Sequence, residues 1–248
     1  MPDWILVTCE HGGNRVPTRY ARLFSGWEKR LSTHRGFDLG ALAMAQQISR
    51  TLKAPLVAST VTRLLVDLNR SASHRDIHSR ASRGASQEER ERMLRRHYLP
   101  YRARVGSLVA RAIGRGFRVV HLSSHSFTPR LRGEVRRADV GILYDPARPG
   151  EVTLSELWKA AFKRTAPELR VRRNYPYFGK HDGLTSSLRQ RHPPETYVGI
   201  ELELNQAFVI GERSRWARLR ATVVESFRGT LASRPWQDTH RISPRAKS

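Results

Sequence analysis

The chain has a single cysteine, Cys9, among 248 residues. One thiol excludes an internal disulfide and a zinc site built from cysteines, and it leaves the cytoplasm as the default location. At the end of an apolar run, Cys9 reads as a small buried residue rather than a nucleophile. Long hydrophobic runs are also missing, so no segment has the length of a membrane span, and the acidic Asp3 stands where a signal peptide would carry basic charge. A soluble protein without a leader is expected. Lysine is scarce, at Lys29, Lys53, Lys159, Lys163, Lys180 and Lys247, so the net charge of +23 is nearly all arginine. The arginines run from Arg15 to Arg245 without forming a clustered tail, and no helix-turn-helix, zinc-finger or aromatic RNA-binding signature accompanies them. The charge supports incidental nucleic-acid affinity more than a dedicated nucleic-acid function.

A chain of this length with 39% hydrophobic residues can bury one sizeable core. A single domain over residues 1–233 is expected, followed by a polar tail, 234–248, that frays. Short apolar runs alternate with helical patterns. A strand near Ile5 to Thr8 precedes a helix from about Phe37 to Leu52 and a strand near Leu56 to Ser59. Ser86, with Glu88, Glu89 and Glu91 after it, reads as the N-cap of a long helix that Gly114 and Gly116 end. Strands are expected at Phe117 to Ser123, Asp139 to Tyr144, Leu169 to Arg173 and Tyr197 to Leu204. Helices are expected at Leu154 to Thr165, Gly183 to Arg191 and Arg213 to Leu231. The fold class is α/β, with a mostly parallel or mixed central sheet covered by helices on both faces.

In such a sheet the chemistry lies beyond the carboxyl ends of the strands. The first strand runs into CEHGGNRVP, which places Glu10 and His11 at its end. His125 follows a later strand within SSHSFTP, and Glu201 and Glu203 share one face of the late strand YVGIELEL. Two histidines with carboxylates suit a hydrolytic metal site, in which a metal lowers the pKa of water to about 7 and a separate carboxylate takes its proton. Gly12 and Gly13 would let the backbone turn sharply and leave room for a ligand close to the main chain. In TRLLVDLNRS, Asp67, Asn69 and Arg70 stand together, and an amide beside a guanidinium suits a carboxylate; a structural Arg–Asp pair is the alternative.

Seven motifs in order, CEHGGNRVP, HRGFDLGAL, TRLLVDLNRS, HLSSHSFTP, DVGILYD, NYPYFGKHDGLT and IELELNQ, together resemble the N-formylglutamate amidohydrolase family over about Val7 to Gln206. The resemblance implies a phosphorylase/hydrolase-like α/β fold, related to zinc carboxypeptidases and aspartoacylase-like deacylases. It also implies hydrolysis of a linear amide on an N-acyl acidic amino acid by water activated on zinc or another divalent metal. On the same basis His11 and His125 are expected metal ligands, with Asp38 as the third and Glu10 as its alternative. Asn14 stands where zinc carboxypeptidases have a ligating glutamate and is a poor donor. Glu203 matches the glutamate expected to act as base, and Asn69 with Arg70 matches the pair expected to hold a substrate carboxylate. The family's late-strand Glu-x-Arg-Gln has Asn205 in place of arginine here, which leaves the glutamate specificity open. The competing reading is a basic nucleic-acid- or polyanion-binding protein on a hydrolase-derived fold, without amidase activity.

Overall fold

The computed structural model describes residues 1–238. The apolar run at the start forms β1 (Asp3–Cys9), and β2 (Leu56–Ala58) follows. The strands then continue as β3 (Arg118–Phe127), β4 (Arg130–Leu131), β5 (Glu134–Val135), β6 (Val140–Leu143), β7 (Val171–Arg173) and β8 (Tyr197–Asn205). Six of them form one sheet in the order β2-β1-β3-β8-β6-β7, while β4 and β5 make a separate small hairpin. Pairing is parallel from β2 through β1 and β3 to β8. β6 then runs antiparallel to β8 and carries β7 parallel to itself, so the sheet is mixed, with a parallel core.

The helices are α1 (Glu28–Leu31), α2 (Ala41–Leu52), α3 (Arg80–Arg83), α4 (Gln87–Met93), α5 (Leu99–Gly114), α6 (Pro149–Thr165), α7 (Leu184–Arg189), α8 (Ala207–Ile210), α9 (Arg213–Leu231) and α10 (Arg234–Asp238). One sheet face packs Val7, Val120, Leu122, Ile200, Leu202 and Leu204 against α2, α6 and α9. The other packs Leu6, Val119 and Tyr197 against α5 and α7. Helices therefore cover both faces. The chain leaves β1 through α2 to β2 on one side and returns through α5 to β3 on the other. A crevice opens at the carboxyl ends of β1 and β3, where the strand order reverses.

The expected long helix is present with a local change of pitch. The Ser86 hydroxyl accepts a hydrogen bond from the Glu89 amide, capping α4. A π-helical turn at Leu94–Tyr98 joins α4 to α5, just before Pro100. Proline has no N–H for the helical ladder, and the wider turn accommodates it. The same turn brings Tyr98 and Tyr101 toward the sheet, where their hydroxyls donate to the Arg70 carbonyl and to Glu10.

The face of the sheet toward α5 changes character along its length. At the amino ends it carries Leu6, Val119 and Tyr197. Toward the carboxyl ends it carries Thr8, His121, Ser123, His125, Glu201 and Glu203, all buried. His121 joins the two regimes. Its Nε2 pairs with Thr8 Oγ1 at 2.8 Å and its Nδ1 with Tyr197 Oη at 2.7 Å, and burial pushes its pKa down to about 4.

At the far end of the chain, polarity alone suggests fraying from Arg234. The structure instead places Arg234–Asp238 in α10, with Trp236 wholly buried. The indole N–H donates to Asp3 at 2.7 Å and the ring lies 4.1 Å beneath the Arg118 guanidinium, so one aromatic side chain ties this segment to β1 and β3. The rest of the polar tail, 239–248, lies outside the described residues.

Candidate active site

A cavity of about 640 Å³ opens at the carboxyl ends of β1, β3 and β8. His11, Asp38 and His125 form its floor, and each is at least 95% buried. His11 lies two residues past the end of β1. Its carbonyl accepts the Asp38 amide at 2.9 Å, which fixes the loop before α2. That contact explains why α2 begins at Ala41 rather than near Phe37. The segment Phe37 to Gly40 stays non-helical to deliver Asp38, and Gly40, at φ +84°, turns the chain into the helix. His125 arrives on β3, directly opposite Glu203 of β8.

The two imidazoles are held from outside by carboxylates. His11 Nε2 donates to Asp67 Oδ1 at 2.7 Å, and His125 Nε2 lies 3.1 Å from Glu10 Oε2. With both Nε2 atoms committed to carboxylates, a neutral imidazole at either position would turn its Nδ1 lone pair toward Asp38. Those Nδ1 atoms face one oxygen, Asp38 Oδ2, at 3.3 Å and 2.8 Å. The convergence on Asp38 draws positive charge, either as protons on the imidazoles or as a cation in their place. Burial opposes protonation of His125, yet Asp38 and Glu10 outweigh it and raise its pKa well above the usual imidazole value. Burial likewise opposes a charge on Asp38, but His11, His125 and Arg63 hold its carboxyl well below the usual range. His11, Asp38 and His125 each offer one ligand atom, all within 4.8 Å of one another, and could hold a divalent cation. An outer carboxylate on each imidazole is the arrangement that fixes ligand tautomers in metal sites.

Arg63 completes the frame. Its Nη2 donates to Asp67 Oδ2 at 2.8 Å and its Nη1 to Asp38 Oδ1 at 3.3 Å. The ion pair in TRLLVDLNRS is therefore Arg63–Asp67, four residues apart, and Arg70 is left out of it. Glu10 lies behind the floor rather than in the cavity. It is wholly buried and accepts from the hydroxyls of Tyr101 at 2.8 Å and Ser123 at 2.6 Å besides its contact with His125. Asn14 points away and donates to the Leu31 carbonyl at 3.2 Å.

Glu203 and Glu201 both line the cavity from β8. Glu201 accepts from the Thr185 hydroxyl at 2.6 Å. Glu203 Oε2 is buried without a hydrogen-bond partner among the described residues, and burial pushes the Glu203 pKa up to about 8. Asn69 lines the cavity; its Oδ1 accepts the Leu184 amide at 2.8 Å, which commits its oxygen, and its Nδ2 lies 3.5 Å from His125 Nε2. Arg70 lines the cavity beside it. Asn205, next on the same face of β8, is bonded away, its amide donating to the Arg136 and Ala138 carbonyls.

Gly12 and Gly13 do not clear space for a ligand. A Cβ on Gly12 would come 2.9 Å from the Ser59 carbonyl oxygen, and one on Gly13 would come 2.7 Å from that of Thr60. Their absent side chains let the chain after β1 run hard against the chain after β2, with the Gly12 and Arg15 amides donating to Ser59 and Thr60. Cys9 is buried, and burial with the nearby Glu10 and Asp38 raises its thiol pKa well above normal, which leaves no thiolate for nucleophilic chemistry.

Arg63 is the site residue that sequence reasoning does not single out, and Asp67, read there as half of an alternative Arg–Asp pair, also holds His11. The model of the N-formylglutamate amidohydrolase family matches residues 4–210, a span that contains every residue of the site. The chain belongs to the N-formylglutamate amidohydrolase family. Membership makes it a hydrolase of the amidohydrolase type. Among solved structures, a gene product from Agrobacterium tumefaciens is 28% identical with a TM-score of 0.79, over 92% of this chain and 90% of that one. The N-formylglutamate amidohydrolase from Ralstonia eutropha JMP134 is 20% identical with a TM-score of 0.67, over 91% of this chain and 92% of that one, a likeness of fold. No curated protein matches the chain. No helix among the described residues is long and apolar enough to cross a membrane.

Proposed function

We propose that this amidohydrolase is metal-dependent and hydrolyses the amide of an N-acyl acidic amino acid, N-formylglutamate being the leading candidate. The carrying observation is the convergence of His11 Nδ1, His125 Nδ1 and Asp38 Oδ2, three potential ligand atoms with both Nε2 atoms already committed to carboxylates. These three residues would hold the cation, zinc being the natural match to two imidazoles and a carboxylate. When bound it supplies Lewis-acid charge at the amide carbonyl and a nucleophilic water near neutral pH.

The chain's own groups do the rest. Glu203 takes the proton of the attacking water and returns it to the leaving nitrogen as the C–N bond breaks, giving the free amino acid and, from a formyl group, formate. A base works best with a pKa near the operating pH, and Glu203 starts at about 8 in its apolar setting, from which a nearby cation draws it down. Asn69 Nδ2 and the Arg70 guanidinium receive a substrate carboxylate, with the Asn69 oxygen locked by Leu184 so that the amide presents donors only. Asp67 and Glu10 keep the two imidazoles in the tautomer that offers Nδ1.

The test is metal analysis coupled to formate release from N-formylglutamate. Purified protein is expected to carry about one divalent ion per chain. Glu203→Gln is expected to lose at least about a hundredfold in kcat while keeping its metal. Full activity after exhaustive chelation would remove the metal from the reaction. Retained activity in Glu203→Gln would remove Glu203 from the role of base.

A further inference from the structure

The cavity has more cationic groups than one carboxylate needs. N-formylglutamate has about twelve non-hydrogen atoms, and even at the roughly 30 Å³ that liquid water gives each oxygen it fills little more than half of the space. The cavity divides into a buried floor and an exposed mouth. On the floor, β8 contributes only the carboxylates Glu201 and Glu203 among the described residues, Asn205 lying outside the cavity with its amide bonded to the Arg136 and Ala138 carbonyls, while Arg63 is neutralised by Asp38 and Asp67. Among the described residues, no unpaired arginine or lysine on the floor remains to meet a second anionic group.

The mouth is different. Arg30, Arg35 and Arg80 line it, and among the described residues none of the three has a carboxylate partner. They come from separate segments: α1, the loop before α2, and the first residue of α3. Arg30 is held over the Trp27 ring at 4.7 Å. His34 lies between Arg30 and Arg35 in sequence and lines the same mouth, and its imidazole is held below the usual value by burial and by Arg35, Arg136 and Arg63, a sign of concentrated positive potential. Asp182, which also lines the cavity, accepts the Ser71 amide at 3.0 Å.

We propose that Arg30, Arg35 and Arg80 form a second anion subsite, which selects substrates carrying an anionic group beyond the carboxylate bound at Asn69 and Arg70. This rests on the amidohydrolase reading for its substrate and on the cavity alone for its ligand chemistry. The mouth arginines perform the selection of an acidic side chain that Asn205 does not supply. Guanidinium groups meet a carboxylate with paired, charge-assisted donors, and three from different segments can close around one.

The experiment compares wild type with the triple variant Arg30→Ala/Arg35→Ala/Arg80→Ala, all exposed positions whose loss leaves the core intact. Two readouts are used: kcat/KM on N-formylglutamate and N-formylglutamine, and calorimetric binding of glutarate and butyrate to the protein as purified. The triple variant is expected to lose about tenfold or more in kcat/KM on N-formylglutamate, mainly through KM, with N-formylglutamine nearly unchanged. Glutarate affinity should fall by a similar factor and butyrate affinity should stay. An unchanged ratio between the two substrates, or an equal loss on both, overturns the subsite. If wild type hydrolyses neither substrate yet binds glutarate over butyrate, and the triple variant loses that preference, the subsite stands and the amidohydrolase reading falls.

Discussion

Glu203 costs the fold something at neutral pH. Its carboxyl is buried with Oε2 unpartnered, and its pKa is about 8 against an ordinary 4.5. Below pH 4.5 the group is protonated in both folded and unfolded chains and contributes nothing. Between 4.5 and about 8 the unfolded chain ionises while the folded one resists, so stability falls as pH rises through that window and then levels off. At about 1.4 kcal/mol per pKa unit the loss is on the order of a few kcal/mol. Metal-free Glu203→Gln should therefore melt above metal-free wild type at pH 8, with the gap closing toward pH 4. Equal melting temperatures at pH 8 would show that the carboxyl is not strained. Only part of this site is legible in the sequence. His11 and His125 stand out because imidazoles after apolar strands are uncommon, and Glu203 because its partner Glu201 marks a polar face on a buried strand. Arg63 carries no signal in a chain with 45 basic residues. The hold of Asp67 on His11 spans 56 positions and follows from the loop's return path rather than from local pattern.

The elements that position these groups are short and closely fitted. Gly183 precedes α7 in extended backbone, and a Cβ there would come 3.1 Å from Asn69 Oδ1 and 3.4 Å from Glu201 Oε1. Gly183→Ala should push Asn69 aside and weaken its bond to the Leu184 amide, a penalty of about 0.5–1.5 kcal/mol. The expected result is a rise in KM of roughly three- to tenfold with kcat much less affected. A fall in kcat at constant KM would instead place the disturbance at Glu201 and its neighbour Glu203. The main elements can be read from periodicity: β1, β3, β8, α2, α9 and the Ser86-capped helix follow from apolar runs and one capping residue. What escapes is set by contacts between distant segments. The reversal of β6 against β8 is invisible in an apolar tetrad such as Val140–Leu143. The close pairing that requires Gly12 and Gly13 involves Ser59 and Thr60, and Trp236 is fixed by Asp3 at the other end of the chain.

At the scale of the whole molecule, the charge of +23 acts on encounter rather than on fold. Its arginines spread over most of the chain, but the cavity gathers Arg30, Arg35 and Arg80 at its mouth and Arg70 beside Asn69, around a buried, carboxylate-rich floor. An anionic substrate is drawn toward the mouth by long-range attraction and then transferred to local donors. These two contributions separate by salt. The Debye length shrinks from about 30 Å at 0.01 M to about 3 Å at 1 M, which removes the long-range term and leaves contacts inside the cavity much less screened. On N-formylglutamate, kcat/KM should therefore fall several-fold across that range while kcat holds, and N-formylglutamine, with one charge fewer, should show a shallower slope. The same field attracts any polyanion. Duplex DNA added at low salt should inhibit by occupying the basic surface, and the inhibition should vanish by about 0.2 M salt, as counterion release requires of non-specific binding. Inhibition that persists at high salt would mean the molecule has a specific nucleic-acid site, and the basic surface would then need a function of its own.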